Sequence, residues 1–159
     1  MPRRPPLRRL AATAALLALT ACTSAPAAAP AATGPVDVPV PTSRAPAGCA
    51  RLGPLLPASL GEGVERRPVT GDDTRTAAWG DPAVTLVCGT PAPPKGSEVV
   101  QLGPSDQPVM TFAVVDVGAA TAFTAEGLGV PVTVTVPDAD DATLLVPLVA
   151  PLRAALPAG

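Results

Sequence analysis

Val130-Pro131-Val132-Thr133-Val134-Thr135-Val136 alternates without a break. A period of two becomes one apolar and one polar face only in an extended strand. Val130, Val132, Val134 and Val136 then face one way, and Pro131, Thr133 and Thr135 the other. Proline cannot donate to a ladder, so Pro131 marks a sheet edge or a strand start. Residues 83–88 repeat the pattern, with Val84, Leu86 and Cys88 on one face. Residues 98–102 and 109–117 read as strands joined through Gly103-Pro104-Ser105-Asp106. Residues 120–124 form a weaker strand, closed by Gly127 and Gly129. Residues 64–70 and 75–79 are candidate strands around the turn Gly71-Asp72-Asp73.

The period changes to a helical one at both ends of this array. Cys49, Leu52, Leu55 and Leu56 have helical spacing, and Pro57 stops them. Leu144, Leu145, Leu148, Val149, Leu152 and Leu156 do the same across residues 141–156. Pro147 and Pro151 sit inside that pattern and predict a kink or two short helices. The expected fold class is therefore α+β: a small single domain, mostly antiparallel sheet, with an N-terminal and a C-terminal helix packed on it. No internal repeat is present.

The first 22 residues have a different character. Arg3, Arg4, Arg8 and Arg9 precede an apolar run from Leu10 to Leu19, then Thr20-Ala21-Cys22. The run has roughly ten residues where a membrane span needs about 20. Leu19-Thr20-Ala21-Cys22 reads as a lipobox. Small residues suit a signal peptidase, and the thiol of Cys22 accepts a diacylglycerol. An ordinary secretory signal with a cysteine near its end is the alternative. The expected organisation is a lipoprotein signal peptide (1–21), lipidated Cys22 with a Pro/Ala-rich tether (22–46), and a folded extracytoplasmic domain (47–157). Acyl chains such as palmitate would hold the domain at the outer face of the cytoplasmic membrane, because more than one chain anchors stably. The tether has little charge and no aromatic residue, and could reach roughly 75 Å if extended.

Composition narrows the function classes. The chain has 159 residues, 11 basic and 13 acidic. Without the four signal arginines, seven basic residues face thirteen acidic ones, a net charge near −6. That argues against nucleic acid and against electrostatic binding to anionic lipid. Aromatic residues are 2% of the chain, so base-stacking platforms are absent as well. Alanine, proline, glycine and valine dominate, and Lys95 is the only lysine, a pattern typical of a high-GC genome.

Three cysteines are present. With Cys22 lipidated, Cys49 and Cys88 form an even pair in an oxidising compartment, and a disulfide between them is expected. Two free buried thiols or a metal pair are the alternatives, and two cysteines without histidine make a poor zinc site. A bridge would pin the first helix to the sheet.

The chain contains no histidine, which removes Ser-His-acid and Cys-His catalysis and histidine-ligated metals. No Ser-x-x-Lys, Gly-x-Ser-x-Gly, P-loop or dinucleotide motif occurs. A carboxylate-pair hydrolase remains formally open, though Trp79, Phe112 and Phe123 are its only aromatic platforms. The Asp138, Asp140 and Asp141 cluster lacks EF-hand spacing. It reads as a turn capping the last helix, with cation binding left open. Trp79 reads as a core plug and, secondarily, as a candidate binding residue.

Trp79-Gly80-Asp81-Pro82, followed by Val84, Leu86 and Cys88-Gly89, resembles the actinobacterial domain of unknown function 3515 family of secreted proteins and lipoproteins. Cys49 with Leu56-Pro57-Ala58-Ser59-Leu60 fits its opening segment. Phe123-Thr124, Val136-Pro137-Asp138 and the leucine-rich tail resemble its C-terminal half. Many members carry a further cysteine and a tryptophan-bearing strand, and residues 96–114 here have neither. The resemblance implies an envelope protein and brings no catalytic residues. The functional expectation is a non-enzymatic, membrane-anchored binding or scaffold module without cofactor or metal, whose partner is an envelope protein or cell-wall component. The alternative is a small-molecule or glycan-binding accessory lipoprotein for a transporter or cell-wall enzyme.

Overall fold

The computed structural model describes residues 34–137 and 141–158. The alternating valines form β9 (Val132–Pro137), which lies inside a seven-stranded sheet. One neighbour is β5 (Val84–Cys88) and the other is β8 (Ala120–Ala125), with Leu86, Val134 and Phe123 in one row. Val132, Val134 and Val136 are buried, as the alternation requires. Pro131 stands directly before the strand, and its carbonyl accepts from the Gly89 N–H at 2.8 Å. It is thus a strand start, where a missing donor leaves the ladder intact, and not a sheet edge.

Beyond β8 come β7 (Met110–Asp116) and β6 (Glu98–Leu102), which ends one rim. Beyond β5 come β4 (Thr76–Trp79) and β2 (Arg66–Arg67), which ends the other. Every pairing in this sheet is antiparallel. The connection from β5 to β6 passes three strands. Its first part is held to the outer face by a chain of hydroxyls: Thr90 Oγ1 to Thr133 Oγ1 at 2.8 Å, and Thr133 Oγ1 to Thr124 Oγ1 at 2.9 Å.

The helices cover the inner face. α1 (Cys49–Leu52) continues into a 3-10 turn at Gly53–Leu55, with Pro54 tightening the second turn. At the other end a 3-10 segment, Ala142–Leu148, leads into α2 (Val149–Ala155). Two short helices therefore replace one long one. Pro151 falls in the first turn of α2, where its missing N–H would lack an intrahelical acceptor. Leu52, Leu145, Leu148, Val149 and Leu152 are fully buried against Trp79, Leu86, Phe112 and the β9 valines. Each such side chain contributes roughly 1.5–3 kcal/mol of burial free energy. Arg51 binds the two helices together, donating to the Ala155 carbonyl at 3.1 Å from Nη2 and 3.3 Å from Nε.

Two segments differ from the sequence expectation. Residues 64–70 do not form one strand, because Pro68 divides them into β2 and β3 (Val69–Thr70). β3 pairs in parallel with β1 (Val36–Asp37), a strand from the expected tether. The packed chain thus begins ahead of the expected boundary at Ala47. Val36-Asp37-Val38 is a proline-free triplet between Pro35 and Pro39, able to pair by its backbone. The N–H of Val36 donates to the Pro68 carbonyl at 2.9 Å, and Val38 is only 5% exposed.

Candidate functional site

Trp79 ends β4 with its side chain toward the helices. It is 0% exposed, and its Nε1 donates to the Pro57 carbonyl at 3.0 Å. The indole has no accessible surface and no free donor, so it acts as the core plug. The Arg66 guanidinium lies 5.8 Å from its ring centroid, closing the core from outside. Trp79 is followed by the Gly80-Asp81-Pro82 turn, with a cis Asp81-Pro82 peptide.

Beside this region a groove of about 510 Å³ runs between α1 and the β2–β4 strands. Arg66, Arg67, Asp73, Thr74, Pro54 and Val69 line it. Arg66 also donates to the carbonyls of Gly53 (3.2 Å) and Leu56 (3.4 Å). Arg67 donates to Gly80 O at 3.0 Å and Gly34 O at 2.8 Å, and stands 3.8 Å from Asp81. The groove thus offers two guanidinium groups and one carboxylate, enough to orient an anionic or peptide-like ligand. A second hollow of about 390 Å³ has Asp81 and Asp141 on its wall. Both acids serve the structure, Asp81 beside Arg67 and Asp141 as a helix cap.

Asp141 accepts from the backbone N–H of Thr143 at 3.1 Å and from its hydroxyl, as the capping expectation requires. Asp138 and Asp140 lie outside the described residues, as does Cys22. Among the described residues, no group of three or more Cys, Asp and Glu could hold a metal ion, and no helix is long and apolar enough to cross a membrane.

Cys49 and Cys88 are bonded, with a Cα–Cα distance of 5.7 Å, and both are buried. The bridge joins α1 to β5, as expected from the side of the strand that Cys88 occupies. Next to it lies a feature that sequence reading misses. Arg75 is buried, and its guanidinium donates to four carbonyls: Cys88 (3.2 Å), Gly89 (3.4 Å), Pro41 (3.2 Å) and Ser43 (2.9 Å). It clasps residues 41–43 against the disulfide strand. Gly89 makes room for this: its φ is +79°, and a Cβ there would lie 2.7 Å from Pro46 Cδ. That gives the Cys88-Gly89 pair a physical meaning. No residue pattern announces the clasp, because its acceptors are all backbone carbonyls.

Comparison with known proteins adds one match. No curated protein and no solved structure matches the chain. A family model described as "Protein of unknown function (DUF3515)" matches residues 9–159, nearly the whole sequence. The motif that suggested the resemblance falls in the folded part just described, where it supplies the core tryptophan, the central strand β5 and the glycine of the clasp. The chain therefore belongs to the DUF3515 family, whose function is unknown.

Proposed function

We propose that this chain is an extracytoplasmic lipoprotein, anchored through Cys22, whose α+β domain binds an envelope protein without performing chemistry of its own. The observation that carries the reading is the buried Cys49–Cys88 bridge. A buried disulfide suits an oxidising compartment. It also leaves Cys22 as the one remaining cysteine, inside a lipobox. The binding role is supported by how the domain spends its polar side chains: Trp79, Arg75 and Asp141 all satisfy backbone groups.

Cys22→Ala is expected to move the protein out of the membrane fraction or leave an unprocessed precursor. Retention in membranes with normal processing would refute the anchor. Crosslinking of the anchored protein in its native envelope, with mass spectrometry of the products, tests the binding role.

The groove lined by Arg66, Arg67 and Asp73 favours a second reading, a small-molecule or glycan-binding accessory protein. Arg66→Ala should then abolish ligand binding, with a stability loss limited to its contacts with the Gly53 and Leu56 carbonyls and the Trp79 ring.

A further inference from the structure

The two rims of the seven-stranded sheet are finished differently. β2 closes one rim with two residues, Arg66 and Arg67, followed by Pro68. Short length, charge and proline are the devices that stop a sheet from pairing further. β6 closes the other rim with Glu98-Val99-Val100-Gln101-Leu102. It has no proline and no lysine, and it pairs with β7 residue for residue, without a bulge.

The direction of its backbone groups follows from the ladder. The Glu126 N–H donates to the Thr111 carbonyl at 2.9 Å, so Thr111 turns its backbone toward β8. In an antiparallel ladder that direction alternates from residue to residue. Met110, Phe112 and Val114 therefore turn toward β6, and their partners Leu102, Val100 and Glu98 turn back toward them. Val99 and Gln101 are left with both N–H and C=O directed out of the sheet. Among the described residues, no hydrogen bond from outside the ladder reaches these four groups. Val99 is 57% exposed, and Val109 and Val117, at the two ends of β7, are exposed as well.

We propose that β6 is a homodimerisation edge, to which a second copy of this chain adds its own β6 antiparallel across a two-fold axis at Val100. In that register Val99 faces the partner's Gln101, and Gln101 faces the partner's Val99. All four outward groups of each copy are then used. A slip of one residue sets them against groups that point inward, and a slip of two carries half the pairing off the strand. The charges also fit. Lys95 is exposed in the turn before β6, and Asp106 is exposed in the turn after it. Antiparallel pairing brings the Lys95 turn of one copy beside the Asp106 turn of the other, twice. Glu98 meets the partner's Leu102 and stays about 14 Å along the strand from the partner's Glu98. A net-acidic chain resists indiscriminate self-association, so this local complementarity selects one orientation. The contact is smaller than a standard interface, so the dimer forms mainly where anchoring concentrates the chain. That last step rests on the proposed anchor.

The test uses the full chain in its native membrane. Val100→Cys places two thiols in a facing pair about 4.5 Å apart at Cα, within disulfide range. Mild oxidation should give a covalent dimer, whereas Val99→Cys, lying off the axis, should give little. Adding Val99→Pro to Val100→Cys removes an outward donor without touching the β6–β7 ladder. It should cut the dimer about tenfold or more while the thermal midpoint stays unchanged. Absence of the Val100→Cys dimer in membrane-bound protein would overturn the proposal. So would a dimer that survives Val99→Pro, or Val99→Pro-sensitive capture of a different protein by a monomeric chain. Recovery of the chain in the soluble fraction would instead refute the anchor. The crosslink is then read on the concentrated purified chain, where its absence overturns the dimer.

Discussion

Trp79 ends β4 and Arg75 stands directly before that strand, and the two show how differently residues announce themselves. The single tryptophan of an aromatic-poor chain, set before a Gly-Asp-Pro turn, reads as a core plug, and it is one. Trp79→Ala should cost about 3–5 kcal/mol in urea unfolding, because it empties a large volume and orphans the Pro57 carbonyl. A folded variant that loses binding at unchanged stability would contradict that role. Arg75 gives no such signal. An arginine beside a turn reads as solvated, yet here it is buried without a carboxylate. Its compensation comes from four carbonyls, which every residue carries, so the sequence cannot advertise them. Arg75→Met keeps the aliphatic stem and removes the donors. The arm at residues 41–43 should then become sensitive to limited proteolysis, at a cost of about 1–3 kcal/mol. Unchanged protease resistance would show that the clasp does not hold the arm.

At the scale of elements, the strands were legible as short apolar runs between turn residues, most plainly in β9 and β5 where the faces alternate. β5, β6, β7, β8 and β9 fall within two residues of the expected bounds. A buried face on a period-two strand leaves only one way to place it. Where prolines intervene, the same reasoning finds the apolar face but not the element. Pro68 separates two strands of two sheets, and residues 141–156 become a 3-10 segment followed by α2. The leucine spacing survives because 3-10 and α turns both return to the same face every three to four residues. Leu148, at the junction, is fully buried, while Val146 is only partly so. Leu148→Ala should therefore cost about 2–5 kcal/mol, and Val146→Ala clearly less. Asp141→Ala should cost about 1 kcal/mol through the lost cap. Equal effects at residues 148 and 146 in chemical denaturation would mean that the segment packs by another face.

For the whole molecule, the arm at residues 34–46 shortens the expected tether. With β1 paired to β3 and Arg75 holding residues 41–43, residues 34–46 belong to the folded domain and not to the expected spacer of residues 22–46. An anchor at Cys22, as proposed, would then leave the twelve residues 22–33 as spacer, a span of at most about 37 Å at polyproline pitch. Proline content alone could not reveal this, since three proline-free residues suffice to pair an edge. The disulfide works at the same scale, because its 39-residue separation runs from the start of α1 through β2, β3 and β4 to the end of β5. Closing a loop of that length removes unfolded-state entropy corresponding to about 3.9 kcal/mol, an upper figure because native strain and residual structure reduce it. A domain of this size has a total stability of about 5–15 kcal/mol, so the bridge is a substantial fraction of it. Both sulfurs are buried in the apolar core, so alanine at both positions removes the bridge without burying two hydroxyls. The double variant Cys49→Ala/Cys88→Ala should retain the fold and lose about 2–4 kcal/mol in urea denaturation. Its m-value should rise, because an unbridged unfolded chain exposes more surface. A loss below about 0.5 kcal/mol with an unchanged m-value would mean that the unfolded chain is already constrained across this loop without the bridge.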